Sequence, residues 1–152
     1  MEHTPLEVAQ YVIEYYISRN QAISNTRLQC LLFLIQGESF AKKNSPVMDA
    51  YFEIKHFYPC IRTVEEAYKK RNFESVGVST FKLKHTVVNK IIVDSAMNVY
   101  GNRSTPELLD IIHQMLNIPS TLENNRFRII SDSLFRKNFP YKGKVDFSIP
   151  VS

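Results

Sequence analysis

The chain has 152 residues, of which 44% are hydrophobic and 22% are charged, and its formal net charge is +4 at pH 7. This length fits one domain, and the apolar fraction excludes a disordered or collagen-like chain. The longest unbroken apolar run falls far short of the ~20 residues that a membrane span needs, so we expect no membrane partner. Two cysteines and an N-terminus without a secretion signal predict a reduced, cytoplasmic protein.

Helical periodicity dominates the first third of the chain. Residues 5–19 carry apolar side chains three and four positions apart, and Thr4 is a suitable N-cap for this helix. A second pattern, over about residues 25–43, is apolar nearly all round, which is typical of a helix buried on several sides. We therefore place this second helix at the centre of the fold. Ser24 and Asn25 are both available as its cap, and we prefer Asn25.

The middle of the chain predicts a small β element. Residues 51–57 alternate with a period close to two, the dipeptide at 58–59 ends this strand, and a second strand over 80–84 can pair with it. Between the two strands, residues 63–66 match a capping box and should begin a short helix that extends to Arg71.

Three more helices are predicted in the second half of the chain. The first begins at Thr86 and ends near Gly101, and its apolar stripe comprises Val88, Ile91, Ile92, Ser95, Ala96 and Val99. The second starts at Ser104, and the last spans residues 131–139. The elements together predict a mainly α fold. It is a compact multi-helix domain around a central buried helix (about 25–43), with a small two-stranded antiparallel β element.

No residue constellation for catalysis, cofactor binding or metal binding is visible. The four glycines are isolated, so no phosphate loop is present, and the histidines and cysteines lack the paired spacing of zinc sites. We expect Cys30 to be a core residue, and Glu65 and Glu66 to be a capping residue and a solvated side chain. His56 and Cys60 lie in a predicted strand, where residues four apart are separated by about 13 Å, so a hydrolase built around this pair is the least favoured alternative. We therefore expect no enzymatic activity and no cofactor.

Basic residues concentrate near the C-terminus, where the stretch 126–144 contains six of them against one acidic residue, Asp132. Four aromatic residues interleave with them. A basic and aromatic stretch suits a nucleic acid or an acidic protein as partner. The alternative is a C-terminal helix with its phenylalanines in the core and its charges in solvent. The six basic residues are Arg126, Arg128, Arg136, Lys137, Lys142 and Lys144.

The first predicted helix also carries three tyrosines, Tyr11, Tyr15 and Tyr16, which cannot all lie on one buried stripe. Exposed tyrosines are favoured anchors of protein interfaces, although single exposed aromatic residues are also normal. We therefore treat Tyr11 and Tyr15, together with the six basic residues, as candidate partner-binding residues.

The order of motifs over roughly residues 5–140 resembles the SocA-like Panacea domain family, also called the GepA or phage-associated protein family. The most specific segment is ISNTRLQCLLFLIQGESFAKK at residues 23–43. The matched family positions are Ser24, Asn25, Leu28, Gln29, Leu32, Gln36, Gly37, Asp49, Pro59, Tyr68, Tyr100, Gly101 and His113. We expect most of them to be structural, and the polar side chains of Gln29, Gln36 and His113 to form hydrogen bonds within the core.

This resemblance implies a domain over residues 1–140, a tail over 141–152 and an antitoxin-type role. Members of the family are similar to antitoxins that neutralise a toxin encoded beside them, usually by direct binding, and others are found in prophages. One relative is a proteolytic adaptor that delivers its toxin to the ClpXP protease. The resemblance therefore implies a cognate toxin as partner, and a ClpXP-type protease as a further one. The alternative function is a nucleic-acid-binding module that uses the basic C-terminal stretch.

Overall fold

The computed structural model describes residues 3–55, 57–68, 89–116 and 128–142. Helices make up 64% of these residues, and a small three-stranded antiparallel sheet accompanies them, so the mainly α fold is confirmed. The six helices of the described ranges are α1 (Pro5–Ile17), α2 (Asn25–Lys43), α3 (Arg62–Tyr68), α4 (Lys90–Tyr100), α5 (Thr105–Leu116) and α6 (Asp132–Asn138).

Helix α2 is the centre of the fold, and its bounds are those predicted from the sequence. Thirteen of its 19 residues are buried, and α1, α4, α5 and α6 all contact it. Ser24 is the N-cap, since its extended backbone lets its hydroxyl accept a hydrogen bond from the Arg27 N–H (3.1 Å). The preference for Asn25 as cap was wrong. Asn25 is already helical, and its buried amide oxygen accepts a hydrogen bond from Gln29 at 3.5 Å.

Helix α1 begins with a complete capping box. The Glu7 N–H donates to the Thr4 hydroxyl (3.2 Å), and the Thr4 N–H donates to the Glu7 carboxylate (3.1 Å). The periodicity of α1 predicts a stripe that includes Leu6, but Leu6 is only partly buried and Val8 lies in the core with the other four members. Its buried residues are Val8, Ala9, Val12, Ile13 and Tyr16.

The sheet differs from the prediction. Strands β1 (Phe52–Lys55) and β2 (Tyr58–Ile61) form a tight hairpin, and β3 (Arg128–Ile130) pairs with the other edge of β1. Pro59 therefore belongs to a strand instead of ending one. This is possible because β2 lies at an edge of the sheet, where a missing N–H is tolerated. The proposed strand at 80–84 lies outside the described residues.

The reversal between β1 and β2 occurs at Phe57, which has a φ of 95°. Helix α3 follows β2 directly, so Thr63 is inside the first turn and the predicted capping box is not the start of this helix. Arg71, the predicted end of α3, lies outside the described residues.

Helix α4 turns a different face to the core than predicted. Ile92, Val93, Ala96 and Met97 are buried, whereas Ile91 and Val99 are 63% and 49% exposed. The helix also packs in a fixed rotation, because the Ser95 hydroxyl donates to Glu38 of α2 (2.8 Å). Its N-cap is Asn89, and the predicted cap Thr86 lies outside the described residues.

Helices α5 and α6 agree with their predicted patterns. Ser104 and Glu107 form reciprocal hydrogen bonds of 3.2 and 3.0 Å at the start of α5, and Ser131 caps α6. Phe135 of α6 enters an aromatic cluster together with Phe33, Phe40, Phe52 and Phe139. The phenylalanines of this segment thus lie in the core.

Candidate functional site: a tyrosine-lined cleft

A surface cleft of about 500 Å³ lies between α1 and α4. Both helices pack against α2, and the groove between them exposes side chains that the core does not take up. Because α1 contributes positions three, four and seven apart, these side chains share one helical face. We call this site the tyrosine cleft; its lining residues are Tyr11, Glu14, Tyr15, Ser18, Arg19, Asp94 and Asn98.

Tyr11 connects the two walls of the tyrosine cleft. Its hydroxyl donates a hydrogen bond to the Asp94 carboxylate at 2.7 Å, across 83 residues of sequence. Burial, and then the hydrogen bond and the charge of Asp94, raise the pKa of Tyr11 to about 12. The phenol therefore stays protonated at neutral pH, where it can act as a donor but not as a nucleophile.

The second tyrosine holds the one arginine of the cleft. The Arg19 guanidinium carbon lies 3.6 Å from the Tyr15 ring centroid, a cation–π contact, and Arg19 Nη1 donates to the Tyr15 carbonyl at 2.9 Å. Tyr15 in turn packs edge-on against the buried Tyr16, with ring centroids 5.3 Å apart. The Tyr15–Arg19 pair is thus oriented before any partner binds.

The chain turn after α1 places Arg19 at the mouth of the cleft. Asn20 has a left-handed φ of 55°, its N–H donates to Ile17, and the Gln21 N–H donates to Tyr16, each at 2.9 Å. This pattern is a Schellman motif, in which asparagine is one of the few residues that adopt the left-handed conformation at low cost. The sequence NQ therefore ends the helix sharply and fixes Arg19 beside Tyr15.

A buried polar contact below the cleft fixes the helices that form it. The Arg27 guanidinium donates to the Gly101 carbonyl (2.7 Å) and to the Tyr16 hydroxyl (3.0 Å), and it reaches the Thr105 hydroxyl at 3.4 Å. The Tyr16 hydroxyl also donates to Gly101 (2.8 Å). This Arg27 node joins α1, α2 and the α4–α5 turn through uncharged oxygens. Nothing in the local sequence singles out Arg27, and it was missed.

The two glutamines of the family motif form hydrogen bonds to main chain. Gln29 accepts from the Ile61 N–H (2.8 Å) and donates to the Ile61 carbonyl (3.3 Å). Gln36 accepts from the N–H groups of Val47 (3.2 Å) and Met48 (3.1 Å) and donates to the Met48 carbonyl (3.0 Å). Both side chains are at most 1% exposed, and their hydrogen bonds hold the hairpin and the segment before it onto α2.

Several other family positions pack inside the fold. Leu28, Leu32 and Tyr68 are completely buried, and Pro59 is buried in β2. A Cβ at Gly37 would lie 2.2 Å from Cζ of Phe139, so only glycine allows this approach of α6.

The remaining family positions lie at the periphery of the core. Tyr100 is half-buried, and His113 contacts the carbonyl of Phe57 through its Nε2 atom. Asp49 is exposed and lines a second cleft of about 520 Å³, at the start of α1 beside the hairpin. That cleft also contains Tyr51, which is 61% exposed and was not singled out from the sequence.

Neither cysteine provides a nucleophile. Burial raises the pKa of Cys30 and of Cys60 to about 12, and Cys60 also donates its thiol proton to the Glu65 carboxylate at 3.5 Å. Glu65 pairs with Lys55 at 2.7 Å, so it is a buried hub and neither a helix cap nor a solvated side chain. His56 lies outside the described residues.

The predicted basic residues are divided in their roles. The Arg136 guanidinium carbon lies 5.2 Å from the Phe40 ring centroid, and its Nε donates to Asn44 at 3.3 Å, so Arg136 contributes to the fold. Lys137 and Lys142 are exposed. Arg126, Lys144 and the side chain of Arg128 lie outside the described structure.

Comparisons with protein-family models, with curated proteins and with solved structures found no match for this chain. Within the described ranges, no three His, Cys, Asp or Glu side chains are grouped so that they could hold a metal ion. None of the helices in those ranges combines the length and the apolar character needed to cross a bilayer.

Proposed function

We propose that the chain is an antitoxin-like protein-binding domain of the SocA-like Panacea type, which neutralises a cognate toxin by direct binding in a toxin–antitoxin or prophage context. The family resemblance of residues 23–43 suggests this role. The observation that carries it is the tyrosine cleft, because tyrosine and arginine are the side chains that most often dominate binding energy at protein interfaces.

The geometry of the cleft supports a protein partner. Tyr15 and Arg19 are held against each other at 3.6 Å, so little side-chain entropy is lost when a partner contacts them. Asp94 and Glu14 provide acceptors beside the arginine, which gives the cleft both signs of charge. Such a mixed polar and aromatic surface can anchor one or two side chains of a protein ligand.

The first experiment is co-expression with the product of the neighbouring gene, followed by co-purification and a growth assay. We expect a stable complex and restored growth. Tyr15→Ala should then weaken the complex at least about 30-fold, since a hot-spot residue contributes about 2 kcal/mol or more. Tyr51→Ala is the matched control, because it removes an exposed tyrosine from the second cleft. Equal effects of the two variants, or no complex at all, would contradict the proposal.

In the adaptor form of this role, the bound toxin is presented to a ClpXP-type protease. A degradation assay with purified toxin, protease and this chain tests that form separately. Toxin loss that requires this chain and is reduced by Tyr15→Ala supports the adaptor role. Toxin that is inhibited but stable in the assay supports sequestration alone.

A further inference from the structure

Helix α6 and the residues after it pack along the C-terminal half of α2. Arg136 donates to Asn44, the residue that ends α2, and the Lys142 N–H donates to the Ala41 carbonyl at 3.4 Å. These contacts bring the last two residues of α2 next to basic residues about a hundred positions later in the chain. We call this surface the basic end; it comprises Lys42, Lys43, Arg136, Lys137 and Lys142.

Basic residues at helix C-termini often do no more than complement the helix dipole. Each helix end contributes about −0.5 of an elementary charge, so two ends account for about one of the five positive charges. In the described part of the chain, Lys43, Lys137 and Lys142 have no acidic side chain within ion-pair distance. Among the described residues, these three lysines therefore carry charge that no carboxylate pairs with, and an anion can contact them.

An aromatic side chain lies within the basic end. Tyr141 precedes Lys142 and is 49% exposed, whereas Phe135 and Phe139 are buried. Lysines that contact phosphates, together with an exposed ring on which a base can stack, are the combination that single-stranded nucleic acids require. Every base of a single strand offers a face on which this ring can stack, whereas an acidic protein offers one only where it carries an aromatic side chain.

We propose that the basic end binds single-stranded nucleic acid, with Lys43, Lys137 and Lys142 contacting phosphates and Tyr141 stacking on a base. This activity is independent of toxin binding, since none of the residues that line the tyrosine cleft belongs to the basic end. The side chain of Arg136 supports the surface through its contact with Phe40.

Fluorescence anisotropy with a labelled oligothymidylate of about 16 nucleotides, the upper site size of a small binding domain, tests the charge contribution. The double variant Lys43→Gln/Lys137→Gln should lower the slope of log affinity against log salt by about 1.4, since each phosphate contact to a single strand contributes about 0.7. The matched control is Lys90→Gln/Arg103→Gln, which removes two exposed charges elsewhere and should leave the slope unchanged. A wild-type protein that does not bind, or equal slopes for both variants, would overturn the proposal.

The stacking contribution has its own test. Tyr141→Ala should weaken oligothymidylate binding at least about fivefold without changing the salt slope, and Tyr51→Ala should have no effect. Polyglutamate is the comparison probe, because it has charge but no bases, and it should bind more weakly. Polyglutamate that binds as well as the oligonucleotide, with no effect of Tyr141→Ala, would assign the surface to acidic proteins and overturn the nucleic-acid proposal. Tyr15→Ala should leave nucleic-acid binding intact, which separates this result from the fate of the toxin proposal.

Discussion

Replacing Gln36 by leucine should destabilise the fold strongly, although the two side chains have similar volumes. Gln36 makes three hydrogen bonds of 3.0 to 3.2 Å to the main chain of Val47 and Met48, and all three residues are 1% exposed. In Gln36→Leu, two N–H groups and one carbonyl lose their side-chain partner in a buried place. Each such group costs about 1–3 kcal/mol, so the three cost about 6 kcal/mol at the middle of that range. Burying leucine returns about 1.5–3 kcal/mol, which leaves a net loss of about 3 kcal/mol.

Urea denaturation followed by circular dichroism measures this loss as a lower free energy of unfolding. The matched control is Gln21→Leu, the same chemical change at an exposed position after α1, which should alter the free energy of unfolding by no more than about 0.5 kcal/mol. A Gln36→Leu protein within about 1 kcal/mol of the wild type would refute the reasoning. It would mean that water or a shifted loop satisfies the three groups.

Three other predictions concern the core. Gly37→Ala should lower the free energy of unfolding by about 1–3 kcal/mol in the wild type, because the added Cβ meets the Phe139 ring. In a Phe139→Ala background the same substitution should raise the free energy of unfolding by up to about 1 kcal/mol, because alanine favours the helix more than glycine does. Effects of the same sign in the two backgrounds would contradict this prediction. Arg27→Met should cost about 2 kcal/mol in a urea titration, since hydrogen bonds from a charged donor are lost; a loss under about 0.5 kcal/mol would contradict the Arg27 node. Burial raises the pKa values of Cys30 and Cys60 to about 12, so both thiols should resist alkylation at pH 8.5 until urea is added. The stability that the protonated thiols contribute should be complete below pH 9 and lost as the pH rises towards 12. Rapid alkylation of the native protein would contradict this last prediction.

Local signals in the sequence were sufficient for the long helices. The bounds of α2 follow from the cap candidates at residues 24–25 and the long apolar pattern after them, although the cap is Ser24 and not the preferred Asn25. The sheet could not be predicted in the same way, because β3 pairs with β1 across more than 70 residues of chain. Pro59 is normally a strand breaker, and only its place at a sheet edge, a tertiary fact, makes it acceptable.

Only part of the candidate site could be predicted from the sequence, because the rest depends on contacts between residues far apart in the chain. Three tyrosines on α1 exceed what one buried stripe can hold, so Tyr11 and Tyr15 could be chosen from the sequence. Asp94, the partner of Tyr11, and the rotation of α4 depend on packing, and no local pattern indicates them. Likewise, Lys43 shows no sign in the sequence of lying beside the C-terminal basic residues.

The Arg27 node has a consequence for when the tyrosine cleft exists. It joins Tyr16 to Gly101 across 85 residues of chain, and closing a loop of that length costs about 4 kcal/mol of chain entropy. Other contacts have to offset that cost, and the packing of α1 and α4 against α2 supplies such contacts. A nascent or truncated chain that stops before α4 lacks one wall of the cleft. The tyrosine cleft thus exists only where α1 and α4 are both in place, and a partner that recognises it binds only such chains.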